Sequence, residues 1–348
     1  MALTGAEIAF GGDMTRSLKQ DNYLVLETEA QGFPCWTPYP GQLRLQAYSH
    51  LASGANSVMY WHWHSIHNSV ETYWKGLLSH DFAENDTYRE ACVIGKEFAE
   101  KGDHLVNLKK KNDVAILASN EALTALKYFP MESPVNRQGA MYNDVLRWMA
   151  DALFDMNVEC DIIWPETEDL SGYRMILIPA LYAVPDETLE RLNRFVENGG
   201  HLVSTMRSFV SDDEVSVWAD RAPHNLTDVF GMTYNQFTRP NGHVSVEFAG
   251  ALEGVPSTQA LSLIELVAPA DGTEVLATYG HYAWKDYAAV TRNTFGKGSA
   301  EWIATLLDAE SIRAVMREAV EYAGVAGAAL RSQVGLRFAR ARTLKARR

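Results

Sequence analysis

Cysteine is scarce in this sequence: the chain has three, Cys35, Cys92 and Cys160, and they lie far apart. An odd number of widely spaced cysteines excludes a dense disulfide framework, and it lacks the paired spacing of a structural zinc site. The first five residues also lack the charged and apolar regions of a secretory signal peptide. We therefore expect a cytoplasmic protein.

Positive charge and long apolar runs are in short supply as well. Lys and Arg number 31 against 44 Asp and Glu, which gives a formal net charge of −13. Such an acidic chain is poorly suited to bind nucleic acid or an anionic membrane surface. No apolar stretch is long enough to span a bilayer. We expect neither nucleic acid nor a membrane among the partners.

The end of the chain departs from this charge balance. Residues 331–348 carry seven Lys or Arg and no Asp or Glu. We interpret residues 326–348 as a disordered basic tail or a truncated gene end. An arm that binds nucleic acid is the alternative, but no other feature of the sequence supports it.

What the sequence does contain is enough apolar material for two domains. Its 348 residues are 47% hydrophobic, which suffices for two separate cores. A polar break at residues 109–112 divides the chain, so we predict one domain over residues 1–108 and a second over residues 109–325. Nine Trp and fifteen Tyr are compatible with a protein that handles carbohydrate.

The first block has the pattern of a strand, a helix and a second strand. A strand-like run over residues 23–27 ends in Glu27, a helix is predicted over residues 41–54, and a buried strand over residues 57–63 leads toward Glu71. Two parallel strands joined by a helix form a βαβ unit, and functional side chains of α/β barrels lie at the carboxyl ends of such strands. Aromatic faces beside a carboxylate suggest a sugar site. The tryptophans near Glu27 are Trp36, Trp61, Trp63 and Trp74.

The second block alternates short apolar strands with amphipathic helices. This order predicts an open parallel sheet, doubly wound like flavodoxin. The predicted strands cover residues 114–117, 160–163, 175–178 and 201–205, and shorter strand-like runs follow at residues 275–278 and 302–304. The predicted helices cover residues 87–104 in the first block and residues 142–156, 185–198 and 309–323 in the second.

Five runs of residues resemble the late barrel strands of the β-galactosidases of glycoside hydrolase family 42. They include the strand that ends in Glu27, the helix and strand that follow, and the segment around Glu71. The resemblance extends over residues 10–325. The five runs are residues 11–18, 24–34, 36–47, 50–63 and 71–81.

The resemblance implies a fold and an assembly. The family has a TIM barrel, then a trimerisation domain with a glutamine-amidotransferase-like α/β fold, and then a small β domain. This chain would be an α/β protein with the last strands of a partial (β/α)8 barrel in residues 1–108, followed by the trimerisation domain in residues 109–325. A homotrimer that acts on β-galactosides without a cofactor would follow.

The resemblance also implies an active site. Glu27 would be the nucleophile of a retaining glycosidase, Trp36 would shape the galactose pocket, and Glu71 would bind sugar hydroxyls. Many members have His three positions after that Glu; this chain has Trp74, so an aromatic wall would replace a polar contact. A retaining glycosidase needs a second carboxyl about 5–5.5 Å from the first. The resemblance places that acid/base Glu on an earlier barrel strand, which should lie before residue 1.

Two other carboxylates could be mistaken for catalytic groups. Glu29 would face the same way as Glu27 in a regular strand, and we interpret it as part of the supporting loop. Asn120 and Glu121 mimic the family's acid/base dipeptide. Because they follow the first strand of the second block, we interpret them as a decoy.

Other functions remain as alternatives. His62 and His64 would point the same way on a strand, as some metal-dependent hydrolases require, with His80 and Asp81 available nearby. Cys160 lacks the flanking glycines of a nucleophile elbow, so we predict a core residue there and no glutaminase activity. A non-catalytic assembly fragment is the second alternative. Our main interpretation includes neither a cofactor nor a metal.

Overall fold

The computed structural model describes residues 5–32, 36–130 and 141–325. The chain forms two compact units that meet in sequence between Lys111 and Asn112. The basic segment predicted at residues 326–348 lies outside the described residues. No helix in the described ranges is long and apolar enough to cross a membrane.

The first unit contains a pair of parallel strands and three helices in its described part. Its elements in chain order are α1 (Gly5–Ser17), β1 (Tyr23–Glu29), α2 (Gln42–Ala52), β2 (Ala55–Trp61) and α3 (Asp86–Leu105). The strands pair with Tyr23 opposite Ala55 and Glu29 opposite Trp61. The predicted strand, helix and strand are therefore confirmed, as is the helix predicted at residues 87–104.

Helix α1 is the element of this unit that the sequence does not predict. It contains Gly11 and Gly12, and glycine disfavours helices by about 1 kcal/mol per residue relative to Ala. Gly12 is nevertheless needed, because a side chain there would collide with the Tyr23 hydroxyl and with Ser53. The close packing of α1 beside β1 and the end of α2 thus overrides the local propensity.

Helix α2 is held against α3 by two glutamates. Gly41 at its start has no side chain to cap the helix. Glu90 of α3 accepts hydrogen bonds from the backbone N–H groups of Gly41 (3.0 Å) and Arg44 (2.8 Å) instead. Glu97 of α3 accepts two from the Arg44 guanidinium, at 2.8 and 2.9 Å. The apolar core between the two helices consists of Leu43, Ala47 and Ile94, with Tyr60, Ala91 and Phe98 packed against it.

An irregularity in β1 decides which way its last residues face. The Tyr23 hydroxyl donates to a backbone carbonyl of α2 (3.4 Å), and Thr28 Oγ1 accepts from Gln46 of α2 (3.1 Å). Residues five apart would lie on opposite faces of a regular strand, but the register with β2 shifts twice between them. Such a bulge re-aims the side chains that follow it. Glu27 and Glu29, on either side of Thr28, consequently face away from α2.

The strand face that points away from α2 is exposed in this unit. Leu24 is 56%, Leu26 66% and Met59 50% exposed. Burial of a leucine side chain is worth about 1.5–3 kcal/mol, so this face is apolar surface that the described residues of the unit leave uncovered.

The second unit has one large mixed sheet with helices and short β-pairs around it. The helices in the described residues are α4 (Asn120–Tyr128), α5 (Tyr142–Asp155), α6 (Asp186–Glu197), α7 (Thr227–Phe230) and α8 (Ala309–Tyr322), with a 3-10 turn at Gly250–Leu252. The strands are β3 (Val114–Leu117), β4 (Cys160–Ile163), β5 (Met175–Ile178), β6 (His201–Thr205), β7 (Met232–Thr233), β8 (Phe237–Thr238), β9 (Ser245–Phe248), β10 (Thr258–Gln259), β11 (Ile264–Glu265), β12 (Ala268–Pro269), β13 (Glu274–Gly280), β14 (Ala288–Phe295) and β15 (Gly298–Ile303).

The large sheet is parallel on one side and antiparallel on the other. Its strand order is β10-β9-β13-β14-β15-β6-β5-β3-β4. The strands β4, β3, β5, β6 and β15 are parallel, whereas β15, β14, β13, β9 and β10 pair antiparallel. All four predicted apolar strands belong to the parallel side, and Cys160 is buried there as predicted. The expectation of a purely parallel sheet covers that side alone, because the antiparallel side was visible in the sequence only as short runs.

Strand β14 shows why the antiparallel side is hard to recognise. It contains Arg292, a residue that is rarely buried without a partner. In the structure Arg292 is buried and forms ion pairs with Glu301 of β15, Glu274 of β13 and Glu318 of α8. These partners are distant in sequence, so local patterning gives no sign of them.

A buried carboxyl lies beside the end of β6. Glu265 is fully buried and accepts hydrogen bonds from the backbone N–H of Arg207 (2.9 Å) and from the indole Nε1 of Trp302 (2.9 Å). Burial raises the pKa of Glu265 from its ordinary 4.5 to about 7, and these hydrogen bonds oppose the rise. Since the folded state keeps a proton that the unfolded state releases, Glu265 stabilises the fold most below about pH 4.5.

We expect Glu265→Gln to flatten the dependence of stability on pH. As the pH rises from about 4.5 through 7, the wild-type free energy of unfolding should lose up to ~3 kcal/mol through this one group. Urea unfolding at pH 5 and pH 8 measures this loss, with the exposed Glu253→Gln as the control. Equal losses in wild type and Glu265→Gln would contradict the assignment.

Candidate active site

The predicted site residues are distributed over the carboxyl ends of β1 and β2 and the loops that follow. Because the two strands are parallel, these ends lie at the same edge of the pair. Glu27 lies in β1 and is exposed. Trp36, in the loop after β1, is half-buried, Glu71, in the loop after β2, is exposed, and Trp74 in the same loop is half-buried.

The loops after β1 and β2 are joined by hydrogen bonds between polar groups that range from buried to exposed. The backbone N–H of Ala30 donates to the carbonyl of Trp61 (3.1 Å). The buried Gln31 donates through Nε2 to the carbonyl of Gly76 (2.7 Å) and accepts from the Thr37 hydroxyl (3.2 Å). Lys75 donates to that hydroxyl at 2.6 Å. We did not single out these residues from the sequence. Their one signal is a polar Gln directly before a glycine in the loop after the strand.

The loop after β2 folds back on the end of its own strand. The backbone N–H of Leu77 donates to the carbonyl of His62 (2.7 Å), and the N–H of Trp74 donates to the carbonyl of Glu71 (2.7 Å). The second bond closes a turn from Glu71 to Trp74, so the two predicted sugar-binding residues are at opposite ends of one turn. Gly76 lies under this turn without space for a side chain, since a Cβ would stand 2.6 Å from the carbonyl oxygen of His62.

Trp36 lies beside Glu29. A Cβ at Gly32 would stand 3.0 Å from the Trp36 side chain and 3.4 Å from Glu29 Oε2, so both groups lie close to the same glycine. Trp36 also faces a shallow cleft with Ile8 of α1 and Leu45 of α2. The structure thus brings an indole and a carboxylate together, and the carboxylate is that of Glu29.

Glu27 has an exposed side chain near the carboxyl end of β1. Within the described residues, no hydrogen bond or ion pair engages its side chain. The helix side of the strands is more enclosed by contrast. Burial there raises the pKa of the Tyr23 and Tyr60 hydroxyls and lowers the pKa of His50. The two faces of β1 and β2 therefore differ in polarity, and Glu27 belongs to the one open to solvent.

The histidine cluster has a structural role in the loop after β2. In each of the four histidines, one ring nitrogen lies near a backbone carbonyl oxygen. The pairs are His62 with Trp74 (3.3 Å), His64 with Ser65 (2.9 Å), His67 with His80 (2.6 Å) and His80 with Thr72 (2.6 Å). In the part of the chain that the structure describes, no three His, Cys, Asp or Glu side chains are placed to hold a metal ion.

Asn120 and Glu121 form the first turn of α4 in the second unit. Ser119 caps this helix by accepting from the backbone N–H of Ala122 (3.0 Å), and its hydroxyl donates to Glu121 Oε2 (3.0 Å). A carboxylate at a helix N-terminus is favourable by the macrodipole. This dipeptide is therefore explained by helix capping.

The sequence matches two family models. The model described as Beta-galactosidase trimerisation domain matches residues 112–326, which is more than half of the chain, and the model described as Beta-galactosidase matches residues 3–101.

Curated relatives are similar to most of this chain. Beta-galactosidase BgaA of Clostridium cellulovorans is 28% identical over 309 residues, which cover 87% of this chain and 45% of the relative. Beta-galactosidase BgaB of Geobacillus sp. is 28% identical over 317 residues, which cover 89% of this chain and 46% of the relative. The chain spans about half the length of the curated relatives it matches.

Solved structures are also similar to most of this chain and are about twice its length. The β-galactosidase from Bacillus circulans sp. alkalophilus superposes with a TM-score of 0.82 at 28% identity, over 93% of this chain and 48% of that one. The β-galactosidase from the haloarchaeon Halorubrum lacusprofundi gives 0.83 at 25% identity, over 98% and 49%.

We expect Gly76→Ala to destabilise the loop that carries Glu71 and Trp74. The new methyl group must displace backbone, at a cost of about 1–3 kcal/mol. Gly95→Ala on α3 is the matched control, because a Cβ there meets nothing within 4 Å and should stabilise the helix by up to about 1 kcal/mol. Hydrogen exchange over residues 62–80 and thermal unfolding measure both effects. Equal protection of this loop in the two variants would contradict the packing described.

Proposed function

The chain belongs to glycoside hydrolase family 42, and from this premise we propose that it acts in the retaining hydrolysis of terminal β-D-galactosides. The observation that carries the proposal is the placement of Glu27. Its carboxylate is exposed, unpaired among the described residues, and turned by a bulge onto the face of β1 opposite α2. The family models and the named relatives support the substrate class.

Glu27 is the proposed nucleophile. In a retaining mechanism its carboxylate attacks the anomeric carbon, and a second carboxyl protonates the leaving oxygen and then activates water. An unpaired carboxylate suits attack because no partner has to be displaced first. The hydrogen-bonded Gln31 and Gly76 fix the loops on either side of it.

The other predicted residues take roles in binding. Trp36 shapes the galactose pocket, Glu71 accepts hydrogen bonds from sugar hydroxyls, and Trp74 offers an aromatic wall where a polar contact would otherwise stand. The turn from Glu71 to Trp74 supports a joint role, because one backbone hydrogen bond sets both positions. Glu29 holds the loop through its place beside Gly32 and Trp36.

We propose that the first unit represents the last strands of a (β/α)8 barrel. A parallel strand, helix and strand, with the helix covering one face alone, is the repeating unit of that fold. The exposed Leu24, Leu26 and Met59 on the other face support this proposal, since the interior of such a barrel is filled by apolar side chains from all its strands.

We propose that the second unit is a flavodoxin-like, glutamine-amidotransferase-like domain that joins three copies of the chain. Its five parallel strands follow the order 2-1-3-4-5 when numbered along the unit, which is the doubly wound order of flavodoxin. The matching family model supports the assembly role. The thiols of Cys92 and Cys160 are reduced, which supports a cytoplasmic location.

The chain should therefore form a trimer in solution. Multi-angle light scattering over a range of concentrations gives its mass directly, for the whole chain and for residues 112–325. A monomer at every concentration would contradict the assembly role.

We expect Glu27→Gln to abolish turnover in the longest natural polypeptide that contains this sequence. The substitution keeps the size of the side chain and removes the nucleophilic charge; losses of several orders of magnitude are typical for nucleophiles. The present chain should have negligible activity by itself. Hydrolysis of a nitrophenyl β-galactoside measures both, with Glu100→Gln on α3 as the control.

The outcomes separate the alternatives. In Glu27→Ala, added azide should restore turnover and give a galactosyl azide. Undiminished turnover by Glu27→Gln would remove Glu27 from the mechanism. Inactivity of the longest polypeptide on all galactosides would favour a non-catalytic assembly fragment.

A further inference from the structure

The second unit contains a cavity that takes no part in the proposed hydrolysis. It is open to solvent and has a volume of about 440 Å³ between the segment before β5 and the end of α6, which is within the range of small-molecule sites. We call it the arginine cavity. Its lining consists of Glu168, Leu170, Ser171, Tyr173, Arg174, Arg191, Arg194, Phe195, Asn198, Gly199 and Gly200.

Three arginines line this cavity although the chain is acidic overall. The lining contains Arg174, Arg191 and Arg194 against one carboxylate, that of Glu168. Guanidinium is the group of choice for planar, bidentate recognition of phosphate and carboxylate. The lining therefore has an excess of positive charge suited to an anion.

Neutral oxygens hold two of these arginines in place. Arg174 donates to the carbonyls of Gly324 (3.0 Å) and Ala323 (2.9 Å) at the end of α8. Arg191 donates to the carbonyl of Pro165 and to the Thr188 hydroxyl. Carbonyl and hydroxyl oxygens orient a guanidinium without cancelling its charge, so both side chains keep their full positive charge for a ligand.

The hydrogen-bond donors left over on Arg191 and Arg194 also favour an anionic ligand. Arg191 Nε is inaccessible to solvent and has no partner among the described residues. Arg194 is exposed and pairs through Nη1 with Glu190 at 3.5 Å, a surface pair of small energy. Arg191 Nε is thus a donor below the surface of the cavity that the described part of the chain leaves without a partner, and the exposed Arg194 keeps N–H groups that an incoming anion can use.

The rest of the lining suits a small ligand that carries hydroxyl groups. Leu170, Tyr173 and Phe195 provide apolar and aromatic surface, whereas Asn198 and Ser171 supply polar groups for hydroxyls. Gly200 has no space for a side chain, because a Cβ would stand 2.3 Å from the Phe195 ring. The ring is therefore packed directly against the backbone and forms a firm wall.

We propose that the arginine cavity binds a phosphate monoester of monosaccharide size. Three guanidiniums suit a group of charge −1.5 to −2 better than a single carboxylate, and the volume leaves space for a sugar ring beside the phosphate. This site is independent of Glu27 and of the proposed hydrolysis.

Calorimetric titration of the whole chain tests this proposal, with galactose 1-phosphate, glucose 6-phosphate, inorganic phosphate and galactose as probes. At least one hexose phosphate should bind once per chain, more tightly than phosphate or galactose. Arg194→Gln should weaken that binding by about tenfold or more. The exposed Arg317→Gln on α8 is the control and should change nothing. Arg174→Gln should repeat the loss, with circular dichroism to verify that each variant is folded.

Two further measurements locate the binding site and test how affinity depends on the charge of the ligand. Hydrogen exchange should slow over residues 168–174 and 194–200 on binding. Affinity should fall below about pH 6, where the monoester dianion takes up a proton and becomes a monoanion. Absence of saturable binding to about 10 mM, or equal affinity in folded Arg194→Gln and wild type, would overturn the proposal. Inorganic phosphate binding as tightly as both hexose phosphates would overturn the sugar part and leave a free-anion site.

Discussion

The parallel pairing of β1 with β2 is the interaction on which the candidate active site depends. It brings two carboxyl ends to one edge, and the loops that leave these ends are joined through Gln31 and Gly76. Helix α2 covers one face of the pair and is itself fixed by Glu90 and Glu97 of α3. The bulge in β1 then decides that Glu27 faces away from the helix.

The second unit buries charged and polar side chains within a large mixed sheet. Its sheet joins parallel and antiparallel strands, and two ionisable groups buried near the join, Arg292 and Glu265, have partners on other elements. A buried charge is tolerated only when it is paired or held by hydrogen bonds. In the arginine cavity, by contrast, neutral oxygens hold two of the three charges, those of Arg174 and Arg191, and leave them available.

Sequence patterns revealed the elements that local chemistry determines. The four-residue apolar strands at residues 114–117 and 175–178 are bounded as predicted, and Gly54, with φ of +107°, ends the α2 segment where expected. Long-range packing determines the elements that the local sequence pattern does not predict. Helix α1 forms despite Gly11 and Gly12, and β14 buries an arginine whose partners lie elsewhere in the chain. The bulge that orients Glu27 depends on pairing with β2, so a regular alternation could not reveal it. The strand that carries Glu27 was predictable, but it continues to Glu29 and does not end at Glu27 as predicted. The joining of the loops by Gln31, Thr37 and Lys75 was not predictable.

The central claim is that Glu27 attacks the sugar, and covalent trapping tests it most directly. A 2-deoxy-2-fluoro-β-galactosyl fluoride forms the glycosyl–enzyme ester quickly and releases it slowly, so the labelled residue can be identified by peptide fragmentation. In the longest natural polypeptide that contains this sequence, we expect one fluorogalactosyl group per chain, on Glu27. A label on Glu29 or Glu71, or an active protein that acquires no label, would contradict the account.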